Sequence, residues 1–192
     1  MTIHKAKWLL VGLVCLALWP AHAPAQGGQW ESYITAGQQA YQQADYAEAE
    51  KQFEAALKEA EAFGPDDVRL ATSFDNLATI YRAQGKFGKA EPLAKRALAI
   101  VEKALGPEHP HVATSLNNLA ELYRAQGRYE AAKPLYKRAL AIRKKALGPD
   151  HPNVAKVLEN YAALLRKTGR GAEAENMEAH AKAIRAKHVQ DN

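Results

Sequence analysis

The sequence predicts an all-α solenoid, a stack of about four helix pairs, and three observations carry that expectation. Gly-Pro recurs at Gly64, Gly106 and Gly148, and single turn glycines recur at Gly85, Gly127 and Gly169, each set spaced by 42 residues. Between Gly64–Leu105 and Gly106–Leu147, 25 of the 42 positions are identical, so the period is an internal duplication. Finally, Ala is abundant while aromatics make up only 8% of the chain, which suits close helix packing and suits a β-sandwich poorly. A hydrophobic fraction of 47% and a charged fraction of 24% exclude a disordered chain.

The first 25 residues stand apart. Lys5 and Lys7 precede an uncharged run, Trp8 to Trp19, and "AHAPA" (Ala21 to Ala25) follows with small residues spaced as signal peptidase requires. The run is shorter than the roughly 20 residues a membrane span takes. A signal peptide over 1–25 is therefore expected, cleaved after Ala25 with Ala23 as the alternative, and the mature protein is expected to be exported to a periplasm or the medium. Cys15 lies inside the apolar run with Val14 before it, where lipidation calls for a small residue. Cleavage removes this single cysteine, so the mature chain has no disulfide, thiol nucleophile or thiolate metal site. It also lowers the net charge from +5 to +3, because Lys5 and Lys7 depart.

Each repeat reads as two helices. In the third, Pro110 suits a first helical position. Val112, Leu116, Leu119, Ala120 and Tyr123 follow at helical spacing, and Gly127 ends the helix. Tyr129, Ala132, Tyr136, Ala139 and Leu140 mark the second helix, which "LGPD" closes, since Gly accepts a left-handed cap and Pro cannot continue a helix. Pro92 and Pro134 fall about a turn and a half into their helices, where a slight bend is expected and not a break.

The second-helix pattern of Tyr129, Ala132, Tyr136, Ala139 and Leu140 resembles that of the tetratricopeptide repeat. Phe87, Ala90, Ala97 and Leu98 match it in the preceding unit, and Tyr46, Ala49, Phe53, Ala56 and Leu57 in the first. The 42-residue period, the "HP" of the loop and "LNNLAELY" resemble the kinesin light chain type of repeat. Units fall at 30–63, 71–104, 113–146 and 155–188. The first diverges, with Gly37 in its opening helix. In the last, Gly171 and Glu178 replace aromatics, so its second helix reads as a degenerate cap with a polar outer face. The resemblance implies a right-handed α-α superhelix after the signal peptide, with first helices lining a concave groove and second helices forming the back.

Candidate site residues follow from the face opposite Leu116, Leu119, Ala120 and Tyr123. Thr114, Asn117, Asn118, Glu121 and Arg124 occupy that arc, and stacking sets their equivalents in rows: Asn76, Asn118 and Asn160; Arg82, Arg124 and Arg166; Thr72, Thr114 and Lys156. A carboxamide offers donors and an acceptor to a peptide backbone, and a guanidinium fork recognises carboxylates. The rows predict a groove for a protein or peptide segment, acidic or C-terminal in character. The resemblance implies the same for Asn76, Asn118 and Asn160, since Asn at this first-helix position contacts peptide ligands in related families. The opposing reading is structural: Asn bridges neighbouring helices, and Arg pairs with Asp75, Glu121 or Glu159.

Other chemistry is not legible. His109, His111 and His151 lie in the loops, but His109 and His151 are repeat equivalents and no set of three or four metal ligands converges. No matched acid–base pair, nucleophile with a His partner or phosphate-binding Gly loop is present, so neither catalysis nor a cofactor is expected. Nucleic-acid binding is not expected of an exported chain without interleaved aromatics. Charge is uneven: residues 26–67 are near −7 and residues 68–192 near +10. Charge alone leaves open a weak contact with an anionic membrane surface, or self-association. The expected function is a non-enzymatic adaptor or scaffold. The alternative is a self-assembling envelope subunit joined head to tail by acidic and basic ends.

Overall fold

The computed structural model describes residues 28–190, and the expected signal peptide lies outside them. Eight helices follow one another: α1 (Gly28–Gln42), α2 (Tyr46–Glu61), α3 (Val68–Ala83), α4 (Phe87–Leu105), α5 (Pro110–Ala125), α6 (Tyr129–Leu147), α7 (Pro152–Lys167) and α8 (Gly171–Gln190). They pack as four antiparallel pairs, each pair leaning on the next, with first helices α3, α5 and α7 also in direct contact along the stack. The result is an α-solenoid without a strand among the described residues.

Glycines at Gly85, Gly127 and Gly169 turn the chain between paired helices with φ near +75°, a conformation that other residues avoid. The starts of α3, α5 and α7 are capped by repeat-equivalent side chains of different chemistry. Asp67 Oδ1 accepts from the Arg69 N–H at 2.8 Å, while His109 Nδ1 accepts from His111 N–H at 3.2 Å and His151 Nδ1 from Asn153 N–H at 3.1 Å. The loop residues His109 and His151 are thus N-caps. α4 and α6 run unbroken through Pro92 and Pro134, both exposed on the outer face.

The core is a long seam of Ala, Leu and aromatic side chains between paired helices, with a smaller cluster of Val154, Ala155, Leu158, Ala181 and Ile184 in the last pair. Ala78, Ala120 and Ala162 let paired helices approach closely, and Gly37 stands at the same position in α1. The Phe53 ring explains the difference, since a Cβ at Gly37 would lie 2.5 Å from it. α8 is a full helix of 20 residues that buries only Ala174, Ala181 and Ile184. Its remaining surface is largely exposed and polar, as the end of a stack requires.

Charge is partly neutralised between neighbours in a repeating pattern. Asp66–Lys103, Glu108–Lys145 and Asp150–Lys187 are one ion pair written three times, at 2.7, 3.2 and 2.7 Å. All are exposed, so solvent and salt screen each pair and it contributes little to stability.

Candidate functional site

A cleft of about 560 Å³ runs along the concave side and is lined by the first helices of all four pairs. α1 contributes Gln38 and Tyr41, α3 Asn76, Thr79, Ile80 and Arg82, α5 Thr114, Asn118 and Glu121, and α7 Lys156 and Asn160, with Phe53 reaching in from α2. On α5 the lining residues are i, i+4 and i+7, one stripe of a helix.

The rows of the sequence separate here. Asn76 and Asn118 line the cleft, and the Asn76 Nδ2 is buried without a hydrogen-bond partner. Lys156 lines it, exposed, with no hydrogen bond or ion pair among the described residues. Thr114 lines it and accepts a hydrogen bond from Arg143 Nη2 at 2.9 Å. Asn160 lines it too, but its Nδ2 donates to Asn117 Oδ1 at 3.0 Å and to Glu121 Oε1 at 2.7 Å.

Asn117, expected in the groove, is instead buried at 5% exposure. Its Nδ2 donates to Glu121 Oε1 at 2.9 Å. A first helix of a solenoid is covered both by its own partner and by the next first helix, so its open arc is narrower than half a turn. Asn117 and Arg124, seven residues apart, fall on the flank facing the next pair. Arg124 does not line the cleft. Its Nε is buried without a partner, near the fully buried Tyr136 hydroxyl, and neither group completes a hydrogen bond. Burial, with the Glu121 charge second, pushes the Tyr136 phenol up to about 12, against the lowering effect of Arg124 and Arg82.

The other two arginines are held by internal carboxylates. Arg82 pairs with Glu121 at 3.1 Å, both largely shielded. Arg166 meets Glu178 of α8 through Nε and Nη2, at 2.7 and 2.6 Å, and does not line the cleft. Glu121 therefore ties Arg82, Asn117 and Asn160 into one network across α3, α5 and α7. The sequence places Glu121 on the groove face without singling out this role. Its recognisable signal is the lack of an acidic equivalent at Thr79 or Ala163.

A second cleft of about 260 Å³ adjoins the first and shares Gln38, Asn76, Thr114 and Asn118 with it. Asp75, at 7% exposure, lines it. Ser115 donates to Asp75 Oδ2 at 2.5 Å, while Oδ1 has no partner. Burial pushes this carboxyl up from 3.8 to about 6. The Ser115 hydrogen bond opposes the shift, as does the Asn118 carboxamide, which stands close without completing a hydrogen bond. Among the described residues, no group of three His, Cys, Asp or Glu side chains is placed to hold a metal.

The sequence profile of the tetratricopeptide repeat matches residues 31–103, 76–145 and 111–187. No curated protein sequence matches the chain. Among solved structures, BtubC (BKLC) from P. vanneervenii is similar, with 29% identity and a TM-score of 0.70 over 83% of this chain. The chain spans 64% of that protein's length. A Podosopora anserina putative kinesin light chain with nearly identical TPR-like repeats is 28% identical, with a TM-score of 0.62 over 90% of this chain and 80% of that one. Aspartyl phosphate phosphatase F from Bacillus subtilis shares the fold, with a TM-score of 0.70 at 17% identity, over 84% of this chain and 41% of that one.

Proposed function

We propose, from the premise that this chain belongs to the tetratricopeptide-repeat family, that it is an exported, non-enzymatic adaptor that holds a peptide segment in its concave groove. One observation carries the reading: a single cleft of about 560 Å³ is lined by first helices of all four pairs and floored by carboxamides. Asn76 has an unpartnered donor there, and an extended backbone offers carbonyls to it. The cleft is long and mixed in polarity, which suits a chain segment better than a compact metabolite. Tetratricopeptide repeats bind proteins and peptides as a class, which supports the same reading.

The side chains refine the ligand. Arg82 and Arg166 are already engaged by Glu121 and Glu178, so the arginine row does not offer free forks to an acidic segment. The available cation of the groove is Lys156, at the α7 end, and it is the place for a ligand carboxylate.

Selection from a displayed library of random peptides tests the proposal with the mature chain from Gln26. An Asn76→Ala, Asn118→Ala double variant is compared with wild type and with Asn160→Ala. Enrichment by wild type and loss in the double variant at equal helicity are expected. No enrichment by wild type, or identical enrichment by the double variant, would place the function on another surface.

A further inference from the structure

Asp75 is a buried carboxylate that the architecture does not need. The equivalent position of the next pair is Asn117, equally buried, and that carboxamide is engaged at both ends, by Asn160 and by Glu121. Asp75 carries a charge into the equivalent position with one hydrogen bond, from Ser115 to Oδ2. Oδ1 is left without a partner, and among the described residues no ion pair involves Asp75. A charge so buried is costly unless it is paired. An Asn here would accept from Ser115 equally well.

The carboxylate lines a cleft of about 260 Å³ that opens beside the groove, together with Asn76, whose Nδ2 is also buried and unpartnered. An orphaned anionic acceptor and an orphaned donor thus meet at one place. We infer that this cleft is a lysine subsite, in which Asp75 pairs with the ammonium of a lysine side chain of the bound segment while Asn76 donates to that segment's backbone. The inference rests on the groove being a peptide site and adds a cationic anchor opposite the Lys156 end. Lysine is favoured over arginine by the free oxygens available. A guanidinium fork seeks two carboxylate oxygens, and Oδ2 is already taken by Ser115, whereas an ammonium is a point charge that one oxygen can hold.

One other titratable side chain lines this cleft, and the Arg143 guanidinium of α6 reaches its wall by donating to Thr114 at 2.9 Å. The lining side chain is His111 of α5, and burial, then the charges of His109 and Arg143, hold its imidazole below the usual range. It is therefore not a built-in cation for Asp75 at neutral pH. Because burial raises the Asp75 carboxyl to about 6, ammonium binding should be strong at pH 7.5 and fade as the pH falls below 6.

The test is a titration of the mature protein with butylammonium, a lysine side-chain mimic, against neutral butanol, followed by NMR at the side-chain amides of Asn76 and Asn118. Saturable shifts with butylammonium alone are expected at pH 7.5. Asp75→Asn should weaken binding by about tenfold or more with helicity unchanged, since the equivalent Asn117 shows that the fold accommodates Asn there. Absence of saturable shifts, equal shifts with butanol, or unchanged affinity in Asp75→Asn would overturn the subsite. Peptide selection remains a separate readout. Its failure with ammonium binding intact sinks the groove reading and reduces the subsite to a bare ammonium site, whereas peptide capture without ammonium binding sinks the lysine subsite alone.

Discussion

Asp75 and Asn117 occupy the same position on successive first helices, and the two seams they face are chemically opposite. Between α5 and α7 the polar groups close on one another: Asn117, Asn160 and Glu121 share three hydrogen bonds, and Arg82 joins them by an ion pair. Between α3 and α5 a carboxylate completes one hydrogen bond, from Ser115, with the Asn118 carboxamide close by. The closed seam couples three pairs of the stack, because each member would be left unsatisfied without the others. The open seam leaves a buried acceptor beside a cleft. Duplication supplied the same backbone site twice, and divergence of a few side chains closed one copy into a network and left the other with an unpartnered oxygen.

The largest effect should come from breaking the closed seam. Glu121→Ala removes the partner of Arg82 and the shared acceptor of Asn117 and Asn160, so a loss of about 2–4 kcal/mol in denaturant unfolding is expected. A loss of under about 1 kcal/mol would show that the network is not structural. Sharpening the contrast at the open seam should act in the other direction. The Asp75 carboxyl is raised in the folded state from 3.8 to about 6, so the fold binds this proton more tightly than the unfolded chain does. Its contribution to stability is full below pH 4 and is lost as the pH rises through 6. Asp75→Asn should therefore stabilise the protein by about 3 kcal/mol at pH 7.5 and change it little at pH 4, read from paired thermal melts. A pH-independent difference would contradict the burial of the charge.

The smallest expected effect lies at the caps. His109→Ala should cost about 1 kcal/mol by loss of the acceptor at α5, and His109→Asp should recover most of it, as Asp67 does at α3. If the two variants melt together, the cap contributes nothing.

How much of this is legible in the sequence depends on the range of the interaction. Helix boundaries, turn glycines and the apolar seam are local and periodic, so the spacing of Leu116, Leu119, Ala120 and Tyr123 is enough to announce a core face. The groove stripe is legible to the extent that Thr114, Asn118 and Lys156 share one helical face. Periodicity misplaces Asn117 and Arg124 because a helical wheel divides a helix into two faces, while a stacked helix has three: core, neighbour and groove. It misplaces Arg166 because the partner, Glu178, sits in the last helix at a position where other repeats carry Phe53 or Tyr136.

The sequence by itself determined the repeat, its period, the helix pairs and their order, since those follow from apolar spacing and chain-reversing residues. Only the tertiary structure decided which polar residues are free. Whether Arg82 faces a ligand or Glu121, and whether a buried amide is satisfied, depends on side chains about 40 positions away brought within hydrogen-bond reach. Hydrogen bonds weaken over tenths of an ångström, and no one-dimensional pattern carries that resolution.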